Sequence, residues 1–384
     1  MLAFEPDMES PHFIHAINFG RRLAINAVFL LVPLHLLNLG FSGWQIGAVG
    51  SLFALAPLLF SFPIGWANDR LTIKGVLRGA LILLSLLFVA LGRVRGFLPL
   101  ALVFLLLGGG NNALDVSINS FYYKNGEEAD PNKKYSRLVF WSALGTALGP
   151  VLAGLVLAGA DFPTMFMALA VFLLLVQVLV GPLARVPFSF VPLRAYKSNL
   201  LRRNTLLFSI MIFVIGLHWG VEGTVYSPFL MKYFHLSAFS VSLYISLALL
   251  GLALSSRLIG RVKFDLRLNQ RIYVLSMFLS GAGLALMVIP SLPISFGFRF
   301  LHEAGDGLLG ALTVLFISRL FEKGSIGGSA ALLLAVMTTG QMVGSIVFSS
   351  LGYRFGLIYP FLISGSLLVA NAGFARFCFR RAEY

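Results

Sequence analysis

Apolar residues dominate this chain in stretches of about 20, the length that lets an α-helix cross the hydrocarbon core of a bilayer. They fall at 12–38, 44–66, 73–92, 97–121, 138–159, 162–182, 204–230, 238–257, 271–290, 294–318, 326–351 and 356–377, twelve in all. Turn residues such as Gly40, Gly43, Gly96, Pro163, Pro290 and Pro293 mark the joints between them. No joint is long enough to hold a soluble domain. The longest, 183–203, is basic, contains Pro187 and Pro192, and divides the stretches into two sets of six. The pattern predicts an all-α polytopic membrane protein: a six-helix bundle over 1–182, a cytoplasmic basic linker over 183–203, and a second six-helix bundle over 204–384.

Ionisable residues gather at helical spacing in four of the stretches, and the other eight have no acidic residue in their interiors. The first carries His15, Asn18, Arg22 and Asn26 at spacings of three and four, with Arg21 beside Arg22. The fourth carries Asn112, Asp115 and Asn119, preceded by Gly108, Gly109, Gly110 and Asn111. In the seventh, His218, Glu222 and Tyr226 follow one another at i+4, with Trp219 alongside. The tenth carries Arg299, His302, Glu303 and Asp306 at i, i+3, i+4 and i+7. On a helix each set forms one stripe. A charge at bilayer depth costs roughly 3 kcal/mol or more unless it meets a partner or a water-filled cavity. The four stripes are therefore expected to line a polar path. They occupy the first and fourth helices of each half, and Asn111-Asn112-Ala113-Leu114-Asp115 aligns with His302-Glu303-Ala304-Gly305-Asp306 at equivalent places. This suggests a pseudo-two-fold repeat with substrate near the midplane between the halves.

Residue chemistry divides the stripes into two roles. Asn18, Arg22, Asn26, Asn112, Asn119, Trp219, Tyr226 and Arg299 are the substrate-binding candidates. Guanidinium forks suit a carboxylate or phosphate, asparagines suit a hydroxylated or anionic solute, and the two rings could stack on a ligand. Asp115, His218, Glu222, His302, Glu303 and Asp306 are the proton-coupling candidates, because burial favours the neutral form of a carboxyl group. Structural roles compete with each assignment: ion pairs with Arg21, Arg22 or Arg299, asparagine bridges between helices, and ring packing. Arg21 and Arg22 point about 100° apart on a helix, so one of the two is expected to face the path.

Composition narrows the class. Of 384 residues 58% are hydrophobic and 11% charged, where a soluble domain carries about 25% charged residues. The lone Cys378 excludes an internal disulfide and a thiolate metal cluster. Residues 1–11 hold Glu5, Asp7 and Glu9 and no base, unlike a secretory signal or transit peptide. The formal net charge of +14 has a topological meaning. Its bases crowd the joints at 70–78, 124–137, 185–203, 257–271 and 319–323 and the end at 376–381, against only Arg93, Arg95, Lys232 and Arg354 on the other side. Cytoplasmic loops carry the Lys/Arg excess, so both termini are expected in the cytoplasm, in a multi-pass protein of the cytoplasmic membrane. Lipid and protons are the expected partners beside a small-molecule substrate. Nucleic acid is not, and a monomer is expected.

Twelve stretches in two halves, a basic central joint and polarity in the first, fourth, seventh and tenth resemble the major facilitator superfamily. The joint Gly65-Trp-Ala-Asn-Asp69-Arg70-Leu-Thr72-Ile-Lys74 is similar to that family's Gly-x-x-x-Asp-Arg/Lys-x-Gly-x-Arg/Lys loop, with Thr72 in place of the second glycine. The resemblance implies that Gly65, Asp69, Arg70 and Lys74 latch the cytoplasmic side in one conformation. The counterpart Gly260-Arg-Val-Lys-Phe-Asp265-Leu-Arg267 has its Asp one residue late. Gly145-Thr-Ala-Leu-Gly149-Pro150-Val-Leu-Ala-Gly154 resembles the family's antiporter motif, but the favoured reading is a small-residue packing face. The family's activity implies a secondary active transporter working by alternating access with no cofactor; the polar stripes add the expectation of proton coupling and of a small polar organic solute, which the arginines allow to be anionic. No nucleotide-binding loop of the Walker type occurs. The alternatives are a proton-driven drug or metabolite exporter and a divalent-metal transporter using His218, Glu222, His302 and Asp306. More remote is an intramembrane metalloenzyme, since His302-Glu303-x-x-Asp306 has the spacing of a zinc-protease helix with Asp for the second His. No enzymatic activity and no resident metal are expected.

Overall fold

The structure, a computed structural model, describes residues 12–70, 73–124, 131–183, 202–321 and 326–381. The described residues are helical throughout their membrane-length segments and contain no strand. The N-terminal set is α1 (His12–Asn38), α2 (Gly43–Arg70), α3 (Ile73–Arg93), α4 (Phe97–Lys124), α5 (Pro131–Leu157) and α6 (Phe162–Val178). The C-terminal set is α7 (Arg203–Tyr233), α8 (Ala238–Ile259), α9 (Leu266–Leu286), α10 (Leu292–Leu320), α11 (Ile326–Phe355) and α12 (Tyr359–Arg381). Ten of these helices are long and apolar enough to cross a membrane, and α6 is a shorter apolar helix. The expected linker falls almost wholly in residues 184–201, outside the described set.

Helix ends depart from the apolar stretches where capping or polar residues carry the helix on. Helix α5 starts at Pro131 rather than 138, because Asn132, Lys133, Lys134 and Tyr135 continue the helix beyond the apolar run. Helix α9 starts at Leu266 rather than 271, because Asp265 caps it, its Oδ1 accepting from the Leu268 N–H at 2.6 Å. Asp161 caps α6 the same way, accepting from the N–H of Thr164 at 2.9 Å.

Helices α3 and α6 pack together on one flank and α9 and α12 on the other. Their outward faces present Leu86, Leu174, Leu175, Leu275, Phe278 and Phe377, as lipid-facing surface requires. Two pairs make the main contact between the halves: α2 with α11, and α5 with α8. Helix α1 packs on α5 and along the middle of α7, and α10 packs on α8 and α9. This leaves α1, α4, α7 and α10 inside the frame, where the four polar stripes lie.

The glycines of α5 form a seam. A Cβ on Gly145 would strike the carbonyl of Phe19 on α1, and one on Gly149 the carbonyl of Leu23. Gly154 lies equally close to Ser242 of α8. Ser51 Oγ donates to the Met342 carbonyl at 3.1 Å, tying α2 to α11. At the other end of the molecule, Asn132 Nδ2 of α5 donates to the carbonyl of Val262 at 2.8 Å, and Asn269 Nδ2 of α9 donates to Asn132 Oδ1 at 3.2 Å. Helix α7 contains a π-helical turn at Glu222–Tyr226. There Gly223 faces the ring of Phe29 on α1 with no room for a Cβ.

Candidate functional site

In the N-terminal half the polar residues of α1 and α4 close on Asp115. Arg21 Nη2 reaches Asp115 Oδ1 at 2.6 Å, and Arg22 Nη2 reaches the same oxygen at 2.9 Å. Arg21 is fully enclosed. Its Nε and Nη2 donate to Asn18 Oδ1 at 3.0 and 2.8 Å, and its Nη1 to Asn111 Oδ1 at 3.2 Å. Asn111 Nδ2 in turn donates to Asp115 Oδ2 at 3.2 Å. Arg22 differs: its side chain is 30% exposed, Asp115 beside it is 23% exposed, and its Nε has no protein partner. Two guanidinium groups thus share one carboxylate, leaving a positive excess whose open part is Arg22.

The C-terminal half carries the opposite imbalance. Arg299 Nη2 lies 2.5 Å from Glu222 Oε1 and also pairs with Glu303, its i+4 neighbour. Its guanidinium stacks 4.0 Å above the ring of Tyr226, which accounts for Nε and Nη1 having no hydrogen-bond partner. His218 Nε2 is 2.9 Å from Asp306 Oδ2, and Ser280 Oγ of α9 donates to Asp306 Oδ1 at 2.5 Å. His302 Nδ1 lies 2.8 Å from the carbonyl of Ser280. A carbonyl only accepts, so Nδ1 carries hydrogen and donates. His302 Nε2 then meets Glu222 Oε1 at 2.9 Å. With Nδ1 already protonated, that contact needs a second proton, on the imidazole or on the carboxyl. One guanidinium faces three carboxylates here, an excess of two negative charges while both imidazoles are neutral. Glu222, 15% exposed along its side chain, is the open part of an otherwise enclosed group.

Not every expected residue sits at these two centres. Asn26 Nδ2 donates to the Arg22 carbonyl at 2.9 Å and to Thr146 Oγ1 of α5 at 3.1 Å. Asn112 Nδ2 donates to Ser61 Oγ of α2 at 3.1 Å. Both asparagines bridge helices. Asn119 is half-buried and Trp219 half-buried against His218. Tyr226 is fully buried beneath Arg299. The acid that joins His218, His302 and Asp306 is Glu222 rather than Glu303. Of the expected latch, Gly65 is half-buried in α2, and Lys74 Nζ donates to the Gly181 carbonyl at 2.9 Å. The side chains of Asp69 and Arg70 lie outside the described set. Arg21, Asn111 and Ser280 complete the two centres without having been singled out as site residues. The spacing of Asn111 to Asp115 (i, i+4) marks the second of these; a lone serine in an apolar helix gives no such mark.

The Major Facilitator Superfamily family model matches residues 14–206 and 208–383. No curated protein matches the sequence. Among solved structures, the crystal structure of the human organic anion transporter MFSD10 (TETRAN) superposes with a TM-score of 0.72 at 16% identity, covering 95% of this chain and 100% of that one. A point mutant of the nucleoside transporter NupG superposes with a TM-score of 0.74 at 16% identity, covering 96% of this chain and 99% of that one. At these identities the likeness is one of fold. With the family model spanning both six-helix halves and the polar stripes lying on the first and fourth helix of each, this chain belongs to the Major Facilitator Superfamily.

Proposed function

We propose that the protein is a proton-coupled secondary transporter that carries a small, polar, anionic organic solute by alternating access. The observation that carries this reading is the pair of opposite charge imbalances on α1/α4 and α7/α10, each exposed only at Arg22 with Asp115, or at Glu222. The positive excess is the binding partner for a solute carboxylate or phosphate. The negative excess takes up protons, the first of them between His302 and Glu222. MFSD10 and NupG are named as organic anion and nucleoside transporters, and both solute classes are small and polar. An apolar cargo would leave these charges uncompensated in a dry site. In this reading the protein works as a monomer in the cytoplasmic membrane, with both termini in the cytoplasm and residues 183–203 as the linker. It runs as a transporter and not an enzyme, in the direction set by the gradients.

Purified protein in liposomes carrying an internal pH dye tests the proposal against a panel of monocarboxylates, phosphate esters, nucleosides and sugars. The expected result is solute-dependent proton movement for an anionic member, absent in Glu222→Gln and in Asp306→Asn. Solute flux with no proton movement, or wild-type coupling in both variants, overturns it.

A further inference from the structure

We infer that His218, Glu222, His302 and Asp306 form a binding site for one divalent transition-metal ion of the zinc class. The ligands come as two His-x-x-x-acid pairs, one on α7 and one on α10, so each helix presents an imidazole and a carboxylate one turn apart. One ligand atom from each residue lies within 4.8 Å of all the others. Around a tetrahedral ion with bonds of about 2.0–2.2 Å, ligand atoms sit about 3.4 Å apart. Here Nε2 of His218 and Oδ2 of Asp306 are 2.9 Å apart, Nε2 of His302 and Oε1 of Glu222 are 2.9 Å apart, and Nε2 of His302 and Oδ2 of Asp306 are 3.9 Å apart. These edges bracket the tetrahedral value, so small side-chain rotations would admit the ion.

The surroundings are those of a metal site. His302 Nδ1–H is tied to the Ser280 carbonyl, which aims the Nε2 lone pair inward, as outer-sphere partners of ligating histidines do. Ser280 Oγ fixes Asp306, and Arg299 fixes Glu222. Arg299 and Glu303 cancel, so the two ligand carboxylates hold the uncompensated negative charge that one divalent ion neutralises. Two imidazoles select a borderline ion over Mg2+ or Ca2+, which prefer shells of oxygen. The ion and the extra proton between His302 and Glu222 exclude each other, yet the site requires no particular solute and no coupled transport.

Titration of metal-stripped, detergent-purified protein with Co2+ tests the inference. The expected result is a tetrahedral d–d absorption band saturating at one equivalent, abolished by Zn2+ and unaffected by Mg2+. Affinity should fall more than about tenfold in His218→Gln and in Asp306→Asn, and stay unchanged in His15→Gln, which alters a histidine bonded to Tyr122 instead. No saturable band by about 1 mM Co2+, or equal affinity in the ligand variants, overturns the site. The wild-type spectrum decides even where a variant fails to fold. A Co2+ site in a protein that moves no protons would sink the transport reading and leave this one standing.

Discussion

Two arginines show how burial separates an enclosed charge from an open one. Arg21 spends its donors on Asn18, Asn111 and Asp115, whereas Arg22 is open along one side. Removing a partner from a buried pair costs about 3–5 kcal/mol, because the remaining charge is stranded. Arg21→Gln should therefore lower stability in detergent by about 3 kcal/mol. Arg22→Gln should change stability by less than about 1 kcal/mol, as expected for a part-exposed pair screened by solvent, and weaken anion binding at least about tenfold; thermal unfolding with and without solute separates the two. Arg299→Met strands Glu222 and Glu303 together, and adding Glu303→Gln should restore part of the loss. Strictly additive melting shifts for that pair would argue against a shared ion cluster. Since charge in an apolar helix stands out, the spacing of polar residues marked the ionisable members of both centres at this scale, apart from Arg21, whose place beside Arg22 left open which of the two faces the path. It could not say who partners whom: Asn26 and Asn112 carry the same signal as Asn18, yet they bridge to Thr146 and Ser61. Ser280 carries no signal, because its role is fixed by α9 packing against α10.

Element by element, the helices were legible because each bilayer-length apolar run has a single stable form in lipid. Their ends were less so, since caps such as Asp265 and polar turns such as that after Pro131 lie outside the apolar runs. The π-helical turn at Glu222–Tyr226 leaves no trace in hydropathy. Such turns recur at functional sites, and this one begins at the acid shared by Arg299 and His302. The α5 glycines carried two readings, and their contacts with the α1 backbone support packing. Gly145→Val should force α1 and α5 apart, because the Phe19 carbonyl is backbone and cannot turn aside. A loss of about 1–3 kcal/mol is expected, the usual cost of overpacking. An unchanged melting temperature would mean the seam is looser than drawn.

For the whole molecule, joint length and basic charge marked two sets of six helices, but the pairs that join them, α2–α11 and α5–α8, depend on contacts between residues far apart in sequence. The proposed alternating-access cycle requires those seams to part at one end in each half-cycle. A Cβ built on Gly50 of α2 lies 3.7 Å from the Cβ of Ser345 on α11, close to the usual disulfide separation, and 2.9 Å from the methyl of Thr224 on α7, which has to shift to admit it. In a Cys378→Ala background, Gly50→Cys with Ser345→Cys should therefore stop transport on oxidation and recover with reductant; transport that continues through the cross-link would rule out opening at this seam. The opposite imbalances of the two centres also have an electrical consequence. In the proposed cycle run as symport, a monoanion entering with two protons, one for each excess negative charge of the C-terminal centre, would carry one net positive charge, and each turnover would pass current. Moving one charge through a membrane potential is worth about 2.3 kcal/mol per 100 mV. Voltage alone, with no pH gradient, should then accumulate solute on the negative side of the membrane.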